Sequence, residues 1–269
     1  MRHTFHRSLR PLTLCVLLPA LAVLAAGSAG AAPAARAPQS APLSPERLER
    51  ISRSYLGKPY KLDCLGEASG ADRDPLFTRK WVDCQTLVEQ VMAEAVQPLV
   101  GDMDRAVRLV RYRDSNVRLE NRYHYCIPDW LESRWPARDV TAEVGGARVR
   151  TVKRRIDLPG FLAQRGGDGS LSPNPARTVV APYIPRDQIS TLQPDRVDGT
   201  IGVLVLDKPA IVAGHVGFLF RKNGEVIFRH ASQKRNRVID EPLRVYMARA
   251  PRSFIGMMVL RPDAAGLRR

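Results

Sequence analysis

Trp81-Val82-Asp83-Cys84-Gln85-Thr86-Leu87-Val88-Glu89 places a cysteine at the first turn of a helix. Leu87, Val88, Val91, Met92 and Val96 recur at spacings of three and four, so the segment predicts a helix with one buried face. Asp83 or a neighbour starts it, and Pro98 and Gly101 mark its end. A helix start offers unpaired backbone N–H groups and the positive end of the dipole, both of which favour a thiolate. Cys84 is therefore the candidate nucleophile, with its own N–H available to a developing oxyanion.

A thiol that attacks a carbonyl needs a base within hydrogen-bond reach, and the base needs a group to orient it. Beyond the N-terminal segment the chain has three histidines: His124, His215 and His230. Two fall on one predicted hairpin. Ile211–Phe220 and Glu225–His230 flank Lys222-Asn223-Gly224, and Asn-Gly is the strongest short hairpin signal. His215 lies eight positions before Asn223 and His230 six after Gly224. Cross-strand neighbours come within a few ångström, so one imidazole can orient the other.

Working outward, Arg2, Arg7 and Arg10 followed by an apolar run from Pro11 to Gly27 and a small-residue stretch read as a secretory signal, residues 1–32. Residues 33–44, rich in Ala and Pro, read as a flexible linker. Ser44-Pro45 starts a helix over residues 45–56, and Lys58-Pro59-Tyr60 follows in extended form. Residues 61–80 form a polar loop, and 102–113 look helical. Residues 139–158 alternate as exposed strands, and a short helix and loop fill 159–177. The strand-like runs 178–184, 201–206 and 253–260 complete the pattern. Helices come first and antiparallel strands after, which is α+β. One domain over 45–262 with a tail at 263–269 is the expectation, with no membrane-spanning segment once the signal is removed.

The 269-residue chain carries 42 Lys and Arg against 27 Asp and Glu, a net charge of +15. Loss of Arg2, Arg7 and Arg10 with the signal leaves 39 basic residues and a net +12. No basic block and no nucleic-acid motif accompanies this excess, and export argues against nucleic acid. A diffuse charge suits steering toward an anionic matrix such as a cell wall. Cys15 leaves with the signal, so three cysteines remain. In an oxidising compartment an odd count suggests one pair and one free thiol. Cys64–Cys126 is then the candidate disulfide, and three reduced thiols the alternative. Neither H-x-x-x-H nor C-x-x-C spacing occurs, nor a Gly-rich phosphate loop or G-x-S-x-G elbow, so no metal or cofactor is expected.

The order Gly57-x-Pro59-Tyr60, Asp83-Cys84-x-Thr86-x-Val88-Glu89, His215-Val216-Gly217-Phe218 and His230-Ala231-Ser232 resembles the NlpC superfamily of papain-like cell-wall cysteine hydrolases. The resemblance implies a papain-like fold, with helices packed on a C-terminal antiparallel sheet. It implies Cys84 as nucleophile, His215 as general base and acid, His230 as orienting group and Tyr60 as an active-site lining residue beside the oxyanion. The gap from Tyr60 to Cys84 and the segment 102–200 are longer than in compact members. With Arg122-x-His124-Tyr125-x-x-x-Asp129-Trp130, these features resemble the N-acetylmuramoyl-L-alanine amidase-like branch over roughly residues 45–262.

That resemblance implies an exported, most simply periplasmic, cofactor-independent hydrolase whose substrate is peptidoglycan or a muropeptide. The first choice of bond is lactyl–L-alanine. A stem-peptide bond such as D-glutamate–diamino acid is the alternative with the same residues, and a non-catalytic wall-binding protein is the rival. Arg122 and His124 admit two readings, one binding a stem carboxylate, the other supporting the site from behind, with Asp129 and Trp130 capping and packing a short helix.

Overall fold

Helix α1 (Pro45–Arg53) starts on Ser44, whose hydroxyl accepts from the Arg47 N–H at 3.3 Å, with Pro45 at the first position. It ends three residues before the predicted boundary, and Leu56 beyond it is exposed. This computed structural model describes residues 43–268, so the expected signal and nearly all of the linker lie outside the described residues. Helix α2 (Cys84–Val100) carries a reciprocal cap. The Asp83 carboxylate accepts from the Thr86 N–H at 2.8 Å, and the Thr86 hydroxyl accepts from the Asp83 N–H at 2.8 Å. Two orphan donors are satisfied at once, which fixes the turn that bears Cys84.

After α3 (Met103–Arg111) come α4 (Cys126–Asp129), β1 (Ala137–Asp139), α5 (Thr141–Gly145), β2 (Arg150–Ile156), α6 (Leu158–Gln164) and β3 (Arg177–Pro185). Then follow α7 (Pro194–Val197), β4 (Thr200–Leu206), β5 (Ala213–Lys222), β6 (Glu225–Ser232), β7 (Arg237–Pro242), α8 (Leu243–Arg249) and β8 (Phe254–Pro262). The strands form an antiparallel sheet ordered β2-β3-β8-β4-β5-β6-β7, with β1 also on β8. Helices and an antiparallel sheet together make the α+β class. No helix among the described residues is long and apolar enough to cross a membrane.

The central strands are buried on both faces, so their sequences read as continuous apolar runs. Val203, Val205, Val216, Phe218, Met258 and Leu260 join Leu87, Val91 and Met92 of α2 in one core. Leu204, Leu219, Phe228, Met257 and Val259 face the other way, onto Val144, Leu243, Tyr246 and Met247. Alternate residues of each strand thus serve α2 on one side and α8 on the other.

The hairpin turns where expected. Asn223 and Gly224 have φ of 52° and 76°, the left-handed pair that a two-residue turn between right-twisted strands needs. Two readings fail. Of the 139–158 stretch only Asp139, the end of β1, and Arg150–Ile156 are strand; Thr141–Gly145 is helical, because Val140 and Val144, four apart, both enter the core. The strand β7 and helix α8 were not anticipated at all.

The Cys64–Cys126 disulfide is not formed, and Cys64, Cys84 and Cys126 are all free thiols. Cys64 is buried behind the α2 cap, its sulfur 3.5 Å from the Thr86 hydroxyl, while Cys126 is buried at the start of α4. Each thiol fills its own packed position, and the odd count carries no pairing information here.

Candidate active site

Cys84 is the first residue of α2 and packs at the edge of the core. The backbone N–H groups of Val216, Gln85 and Cys84 itself approach its sulfur. The Val216 contact places the thiol beside the start of β5, next to His215. Between Leu204 and Val205 the β4–β5 register shifts, pairing His215 with Leu204 and Ala213 with Val205. Gly214 is the extra residue, a bulge immediately before His215 that re-aims the strand.

His215 and His230 meet. His215 Nε2 lies 2.8 Å from His230 Nδ1, with the rings edge-on at 88°. Gly217 makes the approach possible, since a Cβ there would stand 2.5 Å from the Arg229 carbonyl and 2.9 Å from the His230 Cβ. The far nitrogen of His230, Nε2, lies 2.8 Å from Glu241 Oε1 on β7. Arg249 of α8 in turn holds both oxygens of Glu241. Tyr246, one turn earlier, stacks on His215 with centroids 5.9 Å apart and meets the His230 ring at 76°, with centroids 5.1 Å apart.

Tyr60 joins this group through the backbone. It bridges Val82 in parallel, with the Lys61 N–H donating to the Val82 carbonyl and the Val82 N–H to the Pro59 carbonyl. The intervening 61–81 loop therefore leaves and returns to the same place, which is how a long gap still sets Tyr60 beside Cys84. Burial raises the Tyr60 phenol, and Cys84 and Asp83 are the nearest charges adding to that.

Enclosure governs the electrostatics. Burial, reinforced by the Asp83 carboxylate, pushes the Cys84 thiol up to about 12 against the three N–H groups that oppose it. This reverses the expectation that the helix start alone lowers the thiol pKa. Burial, reinforced by His230, pushes the His215 imidazole down to about 3. Both groups rest uncharged. A lone thiolate and a lone imidazolium are each disfavoured by this enclosure.

Arg122 and His124 are placed differently. Arg122 is buried, donating to the Leu65 carbonyl at 2.8 Å and to Asp72 at 2.9 Å, with Glu67 at 3.5 Å. Together with Arg111, which donates to the carbonyls of Leu65, Gly66 and Leu76, it shapes the 61–80 loop from inside. His124 Nε2 is 2.7 Å from the Leu119 carbonyl, and its ring packs on Phe161 of α6 at 4.9 Å. Neither touches the histidine pair. Asp129 accepts from the Tyr125 N–H at 2.9 Å, and Trp130 stacks on Trp135 at 4.1 Å, a packing role. A thread does lead back to the thiol: the Gln85 side chain donates to the Tyr123 carbonyl at 2.7 Å and to Glu89 at 2.9 Å.

Sequence reasoning missed Glu241, Tyr246 and Arg249. Leu243, Tyr246 and Met247 do sit at helical spacing, a signal that Pro242 and the missing cap residue obscured. Among the described residues no group of three or more His, Cys, Asp or Glu is placed to hold a metal ion.

Residues 50–257 match the family described as N-acetylmuramoyl-L-alanine amidase-like. No curated protein matches the chain. Among solved structures, a Legionella pneumophila protein is 20% identical, with a TM-score of 0.68 over 80% of this chain and 88% of that one. An N-acetylmuramoyl-L-alanine amidase from Bacteroides uniformis is 25% identical, with a TM-score of 0.65 over 81% of this chain and 98% of its own. A putative xylanase from Bacteroides fragilis is 24% identical, with a TM-score of 0.61 over 79% of this chain and 99% of its own.

Proposed function

Because the chain belongs to the N-acetylmuramoyl-L-alanine amidase-like family, we propose that it hydrolyses an amide bond of peptidoglycan by a cysteine mechanism. The observation that carries this reading is the alignment of Cys84 at a capped helix start with an ordered histidine pair, His215 Nε2 to His230 Nδ1 at 2.8 Å. The reading is supported by the motif order around Tyr60, Cys84, His215 and His230, which resembles that of the papain-like NlpC superfamily.

In this reading His215 takes the thiol proton as the sulfur attacks the carbonyl carbon. The oxyanion forms near the first-turn N–H groups and Tyr60. Collapse of the tetrahedral intermediate breaks the C–N bond, and the leaving amine takes the proton from His215. Water, giving a proton to His215, then attacks the thioester, releasing the carboxylic acid and restoring the thiol. His230 holds the His215 ring in the plane this requires.

The bond is lactyl–L-alanine, supported by the family description and by the name of the B. uniformis relative. Export is supported by the signal-like pattern of residues 1–32, and would bring the enzyme to a substrate outside the inner membrane. Arg122 and His124 act by holding the 61–80 loop and the packing of α6, rather than by touching the histidine pair.

Mass spectrometry of digested sacculi tests the proposal. Free stem peptides released by the wild type and lost with Cys84→Ala are expected. Truncated stems would reassign the bond to the peptide, and turnover retained by Cys84→Ala would end the cysteine mechanism. Sacculus binding with no turnover by the wild type would mark a non-catalytic wall protein.

A further inference from the structure

We propose that Glu241 and Arg249 are positioning residues that set the tautomers of the histidine pair, so that His215 presents an unprotonated Nδ1 to the thiol. The inference rests on the assignment of Cys84 and His215 as the reacting pair, and it concerns two residues on β7 and α8 that lie outside the Cys–His–His motif.

The argument is a count of protons along a chain of contacts. Glu241 Oε1 is 2.8 Å from His230 Nε2, and an ionised carboxylate only accepts. His230 Nε2 must therefore carry hydrogen. A neutral imidazole has one N–H, so His230 Nδ1 bears a lone pair and must be the acceptor in its 2.8 Å contact with His215 Nε2. His215 Nε2 then carries the hydrogen, and its Nδ1 is left with a lone pair. With Glu241 ionised and both rings neutral, no other assignment satisfies both bonds. The proton that Cys84 loses has one place to go.

Arg249 secures the far end. Its guanidinium holds both oxygens of Glu241, which keeps the carboxylate ionised and aimed at His230. The Glu241 side chain is only 12% exposed and Arg249 33%, so the pair is shielded more than an ordinary surface ion pair. Tyr246 fixes the planes, stacked on His215 and under the Arg249 guanidinium at 5.4 Å. The titratable and charged groups around the histidine pair are thus Cys84 from α2, Glu241 from β7, and Tyr246 and Arg249 from α8, while Phe228 of β6 stacks on His230 at 4.7 Å. Without the acceptor at Glu241 the chain can reverse: His230 Nδ1–H would donate to His215 Nε2, and His215 Nδ1–H would have no room for the thiol proton.

Three variants of the full chain separate the roles. Glu241→Gln keeps an acceptor oxygen and loses the charge, Glu241→Leu loses both, and Arg249→Met frees the carboxylate. Nitrogen-15 NMR of the imidazoles reads the tautomer without needing turnover. Expected is Nε2–H on His215 in the wild type and Glu241→Gln, and a mixed or Nδ1–H population in Glu241→Leu. On muropeptides kcat should fall about 100-fold or more in Glu241→Leu, and about tenfold in Glu241→Gln and Arg249→Met, with KM nearly unchanged. Thermal melts identify any variant that fails to fold, and Glu241→Gln, close in shape to the native residue, then carries the test through its tautomer and its kcat. A wild-type tautomer and wild-type kcat in folded Glu241→Leu would overturn the inference. Activity surviving in Cys84→Ala would instead overturn the assignment beneath it, whatever Glu241 does.

Discussion

At Cys84 and His215 the fold opposes charge on either group alone, and that determines how the pair responds to pH. His215 is held down to about 3 by burial and by His230, so it remains neutral, and a base, well below the ordinary imidazole value. Cys84 is held up to about 12 by burial and by Asp83, so it stays a thiol well above the free value of ~8.5. The profile of kcat/KM should accordingly be a broad plateau, flat from about pH 5 to about pH 9, rather than a bell between the two free values. A steep acid limb at about 6.5 would show that His215 titrates as a free side chain. The same lowering links to stability. A group whose folded pKa is depressed contributes in full above its unfolded value and progressively less as pH falls toward the folded one. The His215 contribution is therefore complete above about pH 6.5 and drains toward about 3. A folded His215→Gln protein should show less of this acid-side fall in melting temperature than the wild type.

Between elements, Arg229 is the joint that seats α1 on the sheet. This buried β6 side chain grips both oxygens of Asp240 on β7 at 2.7 Å, the Glu49 carbonyl at 2.9 Å and the Ser52 hydroxyl at 2.9 Å. Removing one partner of such a network leaves an uncompensated charge, which costs about 3–5 kcal/mol. Arg229→Ala should lower the urea midpoint accordingly, and adding Asp240→Asn should return part of the loss. If the double variant is no more stable than the single one, the penalty is lost packing rather than stranded charge. Elements of this kind also mark the limit of what the sequence discloses. Cys84, His215 and His230 are legible because a helical period and an Asn-Gly turn set their positions by local rules. Arg229, Asp240 and Glu241 read as solvated charges, since nothing local tells that β7 lies against β6 or that its acids face buried partners. The bulge at Gly214 is equally silent, because one residue of slip in β5 is fixed by its pairing with β4. Arg122 reads as a ligand for a carboxylate, and it does bind one, but that carboxylate belongs to Asp72 in the chain's own loop.

Over the whole molecule, the two-sided core explains why the layers could be inferred while the site's surroundings could not. The runs in β4, β5 and β8 declare burial on both faces, so an α+β arrangement follows from the apolar pattern alone. Which helix covers which face depends on packing between segments distant in sequence, and α8 brings only seven residues to that task. Charge acts at the same scale and independently of the site. With 42 basic residues against 27 acidic, a net charge of +15, the molecule is a diffuse polycation. Exposed Arg150, Lys153 and Arg155 on β2 add to it far from Cys84 along the sheet order. An anionic wall would attract such a molecule over about a Debye length, ~10 Å at 0.1 M salt and ~3 Å at 1 M. Raising salt from about 0.05 M to about 0.5 M should thus lower kcat/KM on intact sacculi about tenfold. Turnover of a small soluble muropeptide, which offers no extended field, should keep the same kcat. Equal salt dependence on both substrates would place the effect at the cleft, and no dependence on either would leave the surface charge without a part in finding the wall.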